Sequence, residues 1–268
     1  MITQLEDPKK VKNKLQSYTS NIYNSCPDLE LITCGKVRDL YRIDDNTLLF
    51  VATDRISAFD VIMKNGVPGK EKLLTQISVF WFNYLKDILP NHIITTEFDQ
   101  IFSVEAIVRG YITGSAWSEY KKKGTVCDTT LPEGLKEGQS FEKALYTPST
   151  KAEIEISVKL YTKAKKYALS KGIIIADTEF EFGRDDTGIL YIVDEVLTPD
   201  SSRFWLSLNY EVGKSQESFD KQYLRNYLLS IDFDKKTSIE LPNDIVTKTM
   251  ERYIEAYKMI TDSDPTFL

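Results

Sequence analysis

The sequence is poor in histidine and cysteine. His92 is its one histidine, which nearly excludes a Ser-His-Asp triad, a histidine pair or a His-rich metal site. The three cysteines, Cys26, Cys34 and Cys127, form no Cys-x-x-Cys pair, so neither a disulfide framework nor a zinc site is indicated. Any chemistry must therefore depend on carboxylates, Lys, Arg, hydroxyls and metal. For His92, which follows a predicted helix, a structural or capping role is expected.

Long apolar runs and an excess of basic charge are also lacking. No window approaches the length of a membrane span, and the N-terminus has no apolar signal core. The net charge is -6, with 34 basic and 40 acidic residues mixed along the chain, which argues against nucleic acid as a partner. The hydrophobic content of 42% allows a substantial core. We expect a globular cytoplasmic protein with no membrane partner.

Periodicity predicts an α+β organisation. Helix signals at Asp7 and Pro8 open the chain, β-rich runs at 29–63 predict an antiparallel meander, and a 3-4 spacing predicts a covering helix at 70–88. Further on, the pattern predicts a strand at 105–111, a helix at 115–122, loop at 132–148, a helix at 156–170, three strand-like runs at 173–196, a helix after Asp220 and a last helix capped by Asn243. A division into lobes 1–108 and 109–268 follows.

The first candidate site is a glycine turn between two strand patterns. Gly35 would allow a tight hairpin, which brings backbone amides, Lys36 and Arg38 close to an anion such as a phosphate. There is no Walker A pattern, and an ordinary turn explains the same residues.

A second candidate is a cluster of acids. Asp177, Glu179 and Glu181 alternate with Phe180 and Phe182, so the acids share one face of a strand, and Asp194 follows on the next strand pattern. Carboxylates gathered in this way repel unless a cation neutralises them, and their oxygens suit Mg²⁺. A solvated face of an antiparallel sheet is the open alternative.

Two further segments carry cations. Arg109 precedes a glycine turn and a helix start at Ser115, which favours an anion, although a capped helix explains the same pattern. Lys221 and Arg225 lie four residues apart on a predicted helix face, and a solvated helix face is the alternative there.

The order and wording of these segments resemble the SAICAR synthase family, in its fungal-like branch. The matching stretches are GKVRDLY, ATDRISAFDVI, VRGYITGSAW, TPSTKAE, GIIIADTEFEFG, DEVLTPDSSRFW and SFDKQYLRNYL. The resemblance implies a two-lobed α+β fold with antiparallel sheets, distantly similar to protein kinase and ATP-grasp folds, with ATP between the lobes.

The resemblance also implies roles for residues. It implies ATP contacts from Gly35, Lys36, Val37, Arg38, Glu105 and Ile107, and Mg²⁺ ligation by Glu181 and Asp194. It implies substrate contacts from Asp54, Ser57, Arg109, Ser115, Asp200, Arg203, Lys221 and Arg225. Lys36, Glu181, Asp194 and Arg203 are the implied catalytic set.

The implied reaction joins the imidazole carboxylate CAIR to L-aspartate in purine biosynthesis, with ATP converted to ADP and phosphate. Phosphoryl transfer to the carboxylate would give a mixed anhydride that the amine attacks. A monomer is slightly favoured over a homodimer. Two other functions remain open: a kinase of a small hydroxylated metabolite, and a non-catalytic nucleotide-binding protein.

The chain departs from the family pattern at three places. Glu179 stands where the family usually has Lys, a reversal of charge two residues before Glu181. A stretch with a basic strand is missing between Ile101 and Glu105, and a loop with an acidic helix is missing after Glu153. Either the sequence is closed up across these two places, or the protein is a shortened family member.

Overall fold

The computed structural model describes residues 29–44, 47–93, 104–126, 129–146, 151–184, 188–214, 216, 218–219 and 221–267. The helix predicted from Asp7 and Pro8 lies outside these ranges. Within them, no helix is long and apolar enough to cross a membrane.

The N-terminal part is an antiparallel meander, as the alternating runs predicted. Strands β1 (Glu30–Cys34), β2 (Arg38–Asp44) and β3 (Thr47–Ala52) form a sheet in sequence order. A short hairpin, β4 (Ser57–Ala58) and β5 (Val61–Ile62), follows, and then helix α1 (Lys70–Leu85). One face of α1 is apolar at helical spacing, so Leu74, Ile77 and Trp81 are buried.

A second sheet forms the centre of the molecule. Its long middle strand is β10 (Ile173–Arg184), which pairs with β6 (Val104–Tyr111) along one edge. Along the other edge it pairs first with β12 (Ser202–Leu206) and then with β11 (Leu190–Val193). Strand β9 (Ser140–Tyr146) pairs with β6, and all pairs are antiparallel. Strand β10 therefore pairs directly with the strands that carry Arg109 and Arg203, and with the strand that precedes Asp194.

The remaining elements surround this sheet. They are α2 (Gly114–Lys123), β7 (Thr125–Val126), β8 (Thr129–Thr130), α3 (Lys151–Ser170), a 3-10 turn (Ser207–Asn209), α4 (Gln222–Ser230) and α5 (Asn243–Thr261). Buried residues of α1, α3 and α5, such as Trp81, Tyr161 and Tyr253, pack with the inner face of β10 in one apolar core. Removing these large side chains from water supplies the main driving force for folding.

Several predicted boundaries were wrong. The stretch 132–148 contains β9, because its strand is completed by pairing with β6, a contact that local turn signals do not reveal. The runs IIIADT and EFEFG form one strand rather than two. Helix α3 begins at Lys151 and not near Ile156. Asn243 is the first helical residue, and Pro242 holds the cap position without a side-chain hydrogen bond.

Candidate active site

The Gly35 turn is closed by a backbone hydrogen bond and leaves no room for a side chain at position 35. The amide of Gly35 donates to the carbonyl oxygen of Arg38 at 2.7 Å. A Cβ at position 35 would lie 2.9 Å from the same oxygen, so a side chain there would break the turn. Lys36 extends to the surface, where its Nζ lies 2.5 Å from Asp60 of the neighbouring hairpin.

Arg55 braces this turn and was missed by the sequence reasoning. Its guanidinium donates to the carbonyl oxygen of Gly35 at 3.1 Å and binds both carboxylate oxygens of Asp39, at 2.6 and 3.1 Å. Bidentate pairing of this kind fixes both partners. The segment ATDRISAF marked the region, but its Arg had no periodic or spacing signal.

Arg38 joins the N-terminal sheet to the acids of the central sheet. Its guanidinium donates to Asp194 Oδ1, and to Glu195 Oε1 at 3.3 Å. Burial alone would lower the pKa of Arg38, but the charges of Glu195, Asp194, Glu181 and Asp200 raise it. Arg38 thus contacts two carboxylates, and the charges of two more act on it from farther away.

Strand pairing brings the two predicted metal ligands together. Glu181 of β10 is opposite Val193 of β11, so Asp194 follows directly after its cross-strand partner. Both acids line one polar cavity. Its described lining is Gly35, Lys36, Val37, Arg38, Ser57, Glu179, Glu181, Asp194, Glu195, Asp200, Ser201 and Lys221. We call this space the polar cavity.

An apolar cleft adjoins the polar cavity and shares Val37, Arg38, Asp194 and Glu195 with it. Its lining residues include Leu49, Phe50, Leu74, Phe82 and Ile93. An apolar chamber beside a polar one suits a ligand with a flat base and a charged tail.

His92 lines the apolar cleft and packs against aromatic rings. Its ring centroid lies 5.4 Å from that of Phe82 and 6.0 Å from that of Phe50. Burial lowers the pKa of His92 to about 4, so the ring is neutral near pH 7. This environment agrees with the structural role expected for it.

Asp54 lies below the start of α1, close to Glu71. Its Oδ1 is 3.5 Å from the Glu71 amide nitrogen. Burial, and then Asp54, raise the pKa of Glu71 to about 7. Asp54 is therefore adjacent to the apolar cleft, which Glu71 lines, while Ser57 lies in the polar cavity.

The central sheet sets the positions of Glu105 and Ile107, the two implied ATP contacts outside the Gly35 turn. In the β6–β10 register, Glu105 is opposite Glu181 and Ile107 is opposite Glu179. Asp177 is opposite Arg109 on one side and Arg203 on the other. Residues opposite one another across antiparallel strands share a face of the sheet. The register thus brings the two predicted arginine positions to one row.

Arg203 is held tightly at the start of α2. Its Nη1 donates to Asp177 Oδ2 at 2.7 Å. Its guanidinium lies against Gly114, where an added Cβ would be 2.8 Å from Nη2 and 2.9 Å from Nη1. Gly114 has φ +57 and opens α2 without a side-chain cap, so the backbone amides of this first turn, Ser115 included, face the same region as Arg203.

Asp200 is the most enclosed of the predicted substrate residues. Its carboxylate accepts from Lys70 Nζ at 3.1 Å, from Lys221 Nζ at 2.9 Å and from the Tyr253 hydroxyl at 2.7 Å. Lys221 precedes α4 rather than lying within it. Arg225 is half-buried one turn later, and its backbone amide bonds the Lys221 carbonyl. Among the described lining residues of the two cavities, Lys221 is present and Arg225 is not.

The residues present fit a magnesium ion that arrives with a nucleotide. Within the described ranges no group of three His, Cys, Asp or Glu side chains forms a metal site by itself. Magnesium usually takes one or two protein carboxylates and completes its coordination with phosphate and water, and Glu181 and Asp194 are two carboxylates that could hold it.

Comparison with known proteins decides the family. A sequence model described as SAICAR synthetase matches residues 31–155 and 153–240. The chain belongs to the SAICAR synthetase family. It is 49% identical over 279 residues to the phosphoribosylaminoimidazole-succinocarboxamide synthase of Schizosaccharomyces pombe, with 86% of this chain and 93% of the relative covered. The relative from Pichia angusta is 47% identical over 287 residues, with 87% and 95% covered.

A solved SAICAR synthase structure shows the same fold. The enzyme of Saccharomyces cerevisiae, complexed with SAICAR, superimposes with a TM-score of 0.81 at 45% identity, and 89% of this chain and 96% of that chain are covered. The two-lobed α+β fold with antiparallel sheets, expected from the motifs, is therefore confirmed.

The given sequence of this SAICAR synthetase family member lacks internal residues that its Pichia angusta relative has. The alignment with the Pichia angusta relative runs over 287 positions, although 87% of the 268 residues, about 233, take part. The relative thus has at least about 50 residues without a counterpart here. The family match is also split at 153–155, one of the two places where a missing stretch was inferred. In the structure, α3 runs continuously through that place.

Proposed function

We propose that the polar cavity is the site where this enzyme activates CAIR and joins it to L-aspartate. Family membership gives the activity itself: an ATP-dependent ligase of purine biosynthesis that forms SAICAR, ADP and phosphate. One observation supports the location most strongly. Glu181 and Asp194, from paired strands, line the same cavity as the Gly35–Arg38 turn and Lys221.

The carboxylate of CAIR is a poor acyl donor, which sets the order of steps. Transfer of the γ-phosphoryl group of ATP to a carboxylate oxygen gives an acyl phosphate and ADP. The amine of L-aspartate then attacks the acyl carbon, forms the C–N bond and displaces phosphate, and a proton leaves the nitrogen. Positioning and charge neutralisation are the main demands of such a transfer.

The chain's own residues meet these demands. Glu181 and Asp194 would hold a magnesium ion, whose charge offsets that of the nucleotide phosphates. The Gly35 turn, with Lys36 and Arg38, covers the phosphates, and the backbone of Glu105 and Ile107 borders the base. No histidine is needed, because the cations carry fixed charge near pH 7.

The substrate end lies along the row that Arg109 and Arg203 flank. Arg203 and the first turn of α2 at Ser115 bind the ribotide phosphate, since a guanidinium fork and helix amides both favour that group. Asp54, Ser57, Asp200, Lys221 and Arg225 form the imidazole and aspartate end. The division into lobes at 108 and 109 stays a proposal, because β6 passes through it. We also propose a cytoplasmic enzyme, with a monomer slightly favoured.

The test is ADP release with CAIR, with and without L-aspartate, from the parent and from Glu181→Gln and Asp194→Asn. We expect turnover to require aspartate and to fall at least about a hundredfold in both variants, since a catalytic metal loses a ligand. Glu211→Gln, which changes an exposed acid away from the cavity, is the matched control. Variant turnover within about threefold of the parent would exclude these metal ligands.

The two other functions give different results in the same assay. ADP release that needs a hydroxylated metabolite and ignores aspartate would identify a kinase. Nucleotide binding without release of ADP would identify a non-catalytic protein.

A further inference from the structure

Asp200 lines the polar cavity and binds two cations, one from the lining of each cavity. Lys70 lines the apolar cleft and Lys221 lines the polar cavity. Both ammonium groups contact the same oxygen, Oδ2, and the Tyr253 hydroxyl takes the other. The side chains of Lys70 and Asp200 are each 1% exposed, and that of Lys221 is 10% exposed. The four groups come from the start of α1, the 198–201 turn, the start of α4 and α5.

The charges of this buried cluster do not balance. Two ammonium groups face one carboxylate, which leaves one positive charge in excess. An anion in the adjoining space offsets this charge. The carboxylates of Glu179, Glu181, Asp194 and Glu195 line that space. When a metal ion and Arg38 engage Glu181, Asp194 and Glu195, as the proposed function requires, a substrate carboxylate can take this place. Of the two lysines, Lys221 is the one that borders the polar cavity, where anionic substrates are proposed to bind.

The geometry fixes which residue controls the other. The side chain of Lys70 is only 1% exposed, and its contact with Oδ2 restricts where the Lys221 ammonium can bind on the same atom. Because Lys70 and Lys221 donate to the same oxygen of Asp200, each hydrogen bond to that oxygen is weaker than it would be alone. The ammonium group of Lys221 can therefore bind a second anion in the polar cavity.

We propose that Lys70 is a positioning residue for the ligase reaction: through Asp200 it sets the place and the available charge of Lys221 toward a carboxylate of the substrates. The inference rests on the proposed function. The carboxylate belongs either to L-aspartate or to CAIR, and separate titrations of the two distinguish them.

Lys70→Met is the informative variant, because it retains much of the shape and leaves Asp200 and Lys221 as a neutral pair that can stay buried. Lys72→Met removes an exposed lysine two residues along the same helix and is the matched control. We expect Lys70→Met to raise the KM for one substrate at least about tenfold, while kcat changes less than about threefold. Lys72→Met should change neither.

A purely structural role predicts another result: a lower melting temperature with unchanged KM values, which would overturn the proposal. A fall in kcat with unchanged KM would overturn it as well. If Lys70→Met does not fold, Lys70→Gln carries the same prediction, since it keeps a donor and loses the charge. Tyr253→Phe, which retains both lysine charges, should shift the KM less than Lys70→Met does, and a larger shift would contradict the charge argument.

Equilibrium binding separates this proposal from the proposed function. The dissociation constants of CAIR and of L-aspartate are measured by calorimetry on the parent, Lys70→Met and Lys72→Met. A parent that binds but does not turn over would refute the ligase function, and the tenfold comparison of binding would still decide the role of Lys70. A parent that binds neither substrate would overturn both.

Discussion

The contact between Gly114 and Arg203 allows a sharp test of the substrate end of the site. Gly114→Ala introduces two costs. The first is conformational, because φ is +57 and an L-residue with a side chain loses about 1–2 kcal/mol there. The second is steric, because the new Cβ would lie 2.8 and 2.9 Å from the guanidinium nitrogens, so Arg203 must move away from Asp177. A charge-assisted hydrogen bond of this kind contributes about 1.5–3 kcal/mol.

Gly124 provides an unusually close control at the other end of the same helix. It also has positive φ, at +70, but nothing lies within 4 Å of a Cβ added there. Gly124→Ala therefore carries the conformational cost alone. At about 2–4 °C per kcal/mol for a protein near this size, we expect a fall in melting temperature of about 2–8 °C for Gly124→Ala and a larger fall for Gly114→Ala.

Activity should separate the two variants further. Displacement of Arg203 should lower kcat/KM for CAIR at least about tenfold in Gly114→Ala, whereas Gly124→Ala should keep the parent value. The measurements are thermal unfolding and steady-state ADP release below the lower melting temperature. Equal stability and equal kcat/KM in the two variants would refute the idea that Gly114 is required for the placement of Arg203.

Three further predictions concern charge. Burial and Asp54 raise the pKa of Glu71 from 4.5 to about 7, so the stability that the protonated carboxyl contributes at low pH is lost as the pH rises through 7. Glu71→Gln should therefore have a higher melting temperature than the parent at about pH 8 and lose most of that advantage at about pH 5. A difference in melting temperature that does not depend on pH would contradict this. Glu179→Lys, which restores the usual family residue in the polar cavity, should raise kcat/KM for the anionic substrates, as steady-state kinetics would show; a decrease would mean that Glu179 is adapted to this chain. Arg38→Met should bind Mn²⁺ more tightly than the parent in the absence of nucleotide, because Asp194 and Glu195 lose the cation that occupies them. The same variant should bind ATP more weakly, as calorimetry would show. Weaker Mn²⁺ binding would refute the idea that Arg38 and the metal ion compete for these carboxylates.

The sequence predicted the elements with strong periodicity and the segments that carry the site. Helix α1 and the first meander could be predicted because their apolar residues recur at regular spacings, every three or four residues in the helix and every two in the strands. The proximity of Glu181 and Asp194 could be predicted, because a short turn joins the two strand patterns near which they lie. In each of these cases the partner is close along the chain.

Features that depend on distant pairing could not be predicted. Strand β9 is completed by β6, which lies about thirty residues earlier, and nothing within 132–148 indicates it. Lys70, Arg55 and Tyr253 looked like ordinary residues of a helix start, a loop and a helix face. Their contacts with Asp200 and Asp39 span up to 130 positions, and a single sequence carries no signal of such distance.

The length of β10 fixes the distance between two parts of the proposed site. Asp177, which anchors Arg203, and Glu181 stand four residues apart on one uninterrupted strand, a spacing of about 13 Å. Under the proposed function, this fixed spacing sets the distance between the residues that bind the sugar-phosphate end of the ligand and those that act at its reacting end. Inserting a single residue between Asp177 and Glu181 would lengthen this spacing and also turn Glu181 to the opposite face of the sheet, so one change would disturb both ends of the proposed site.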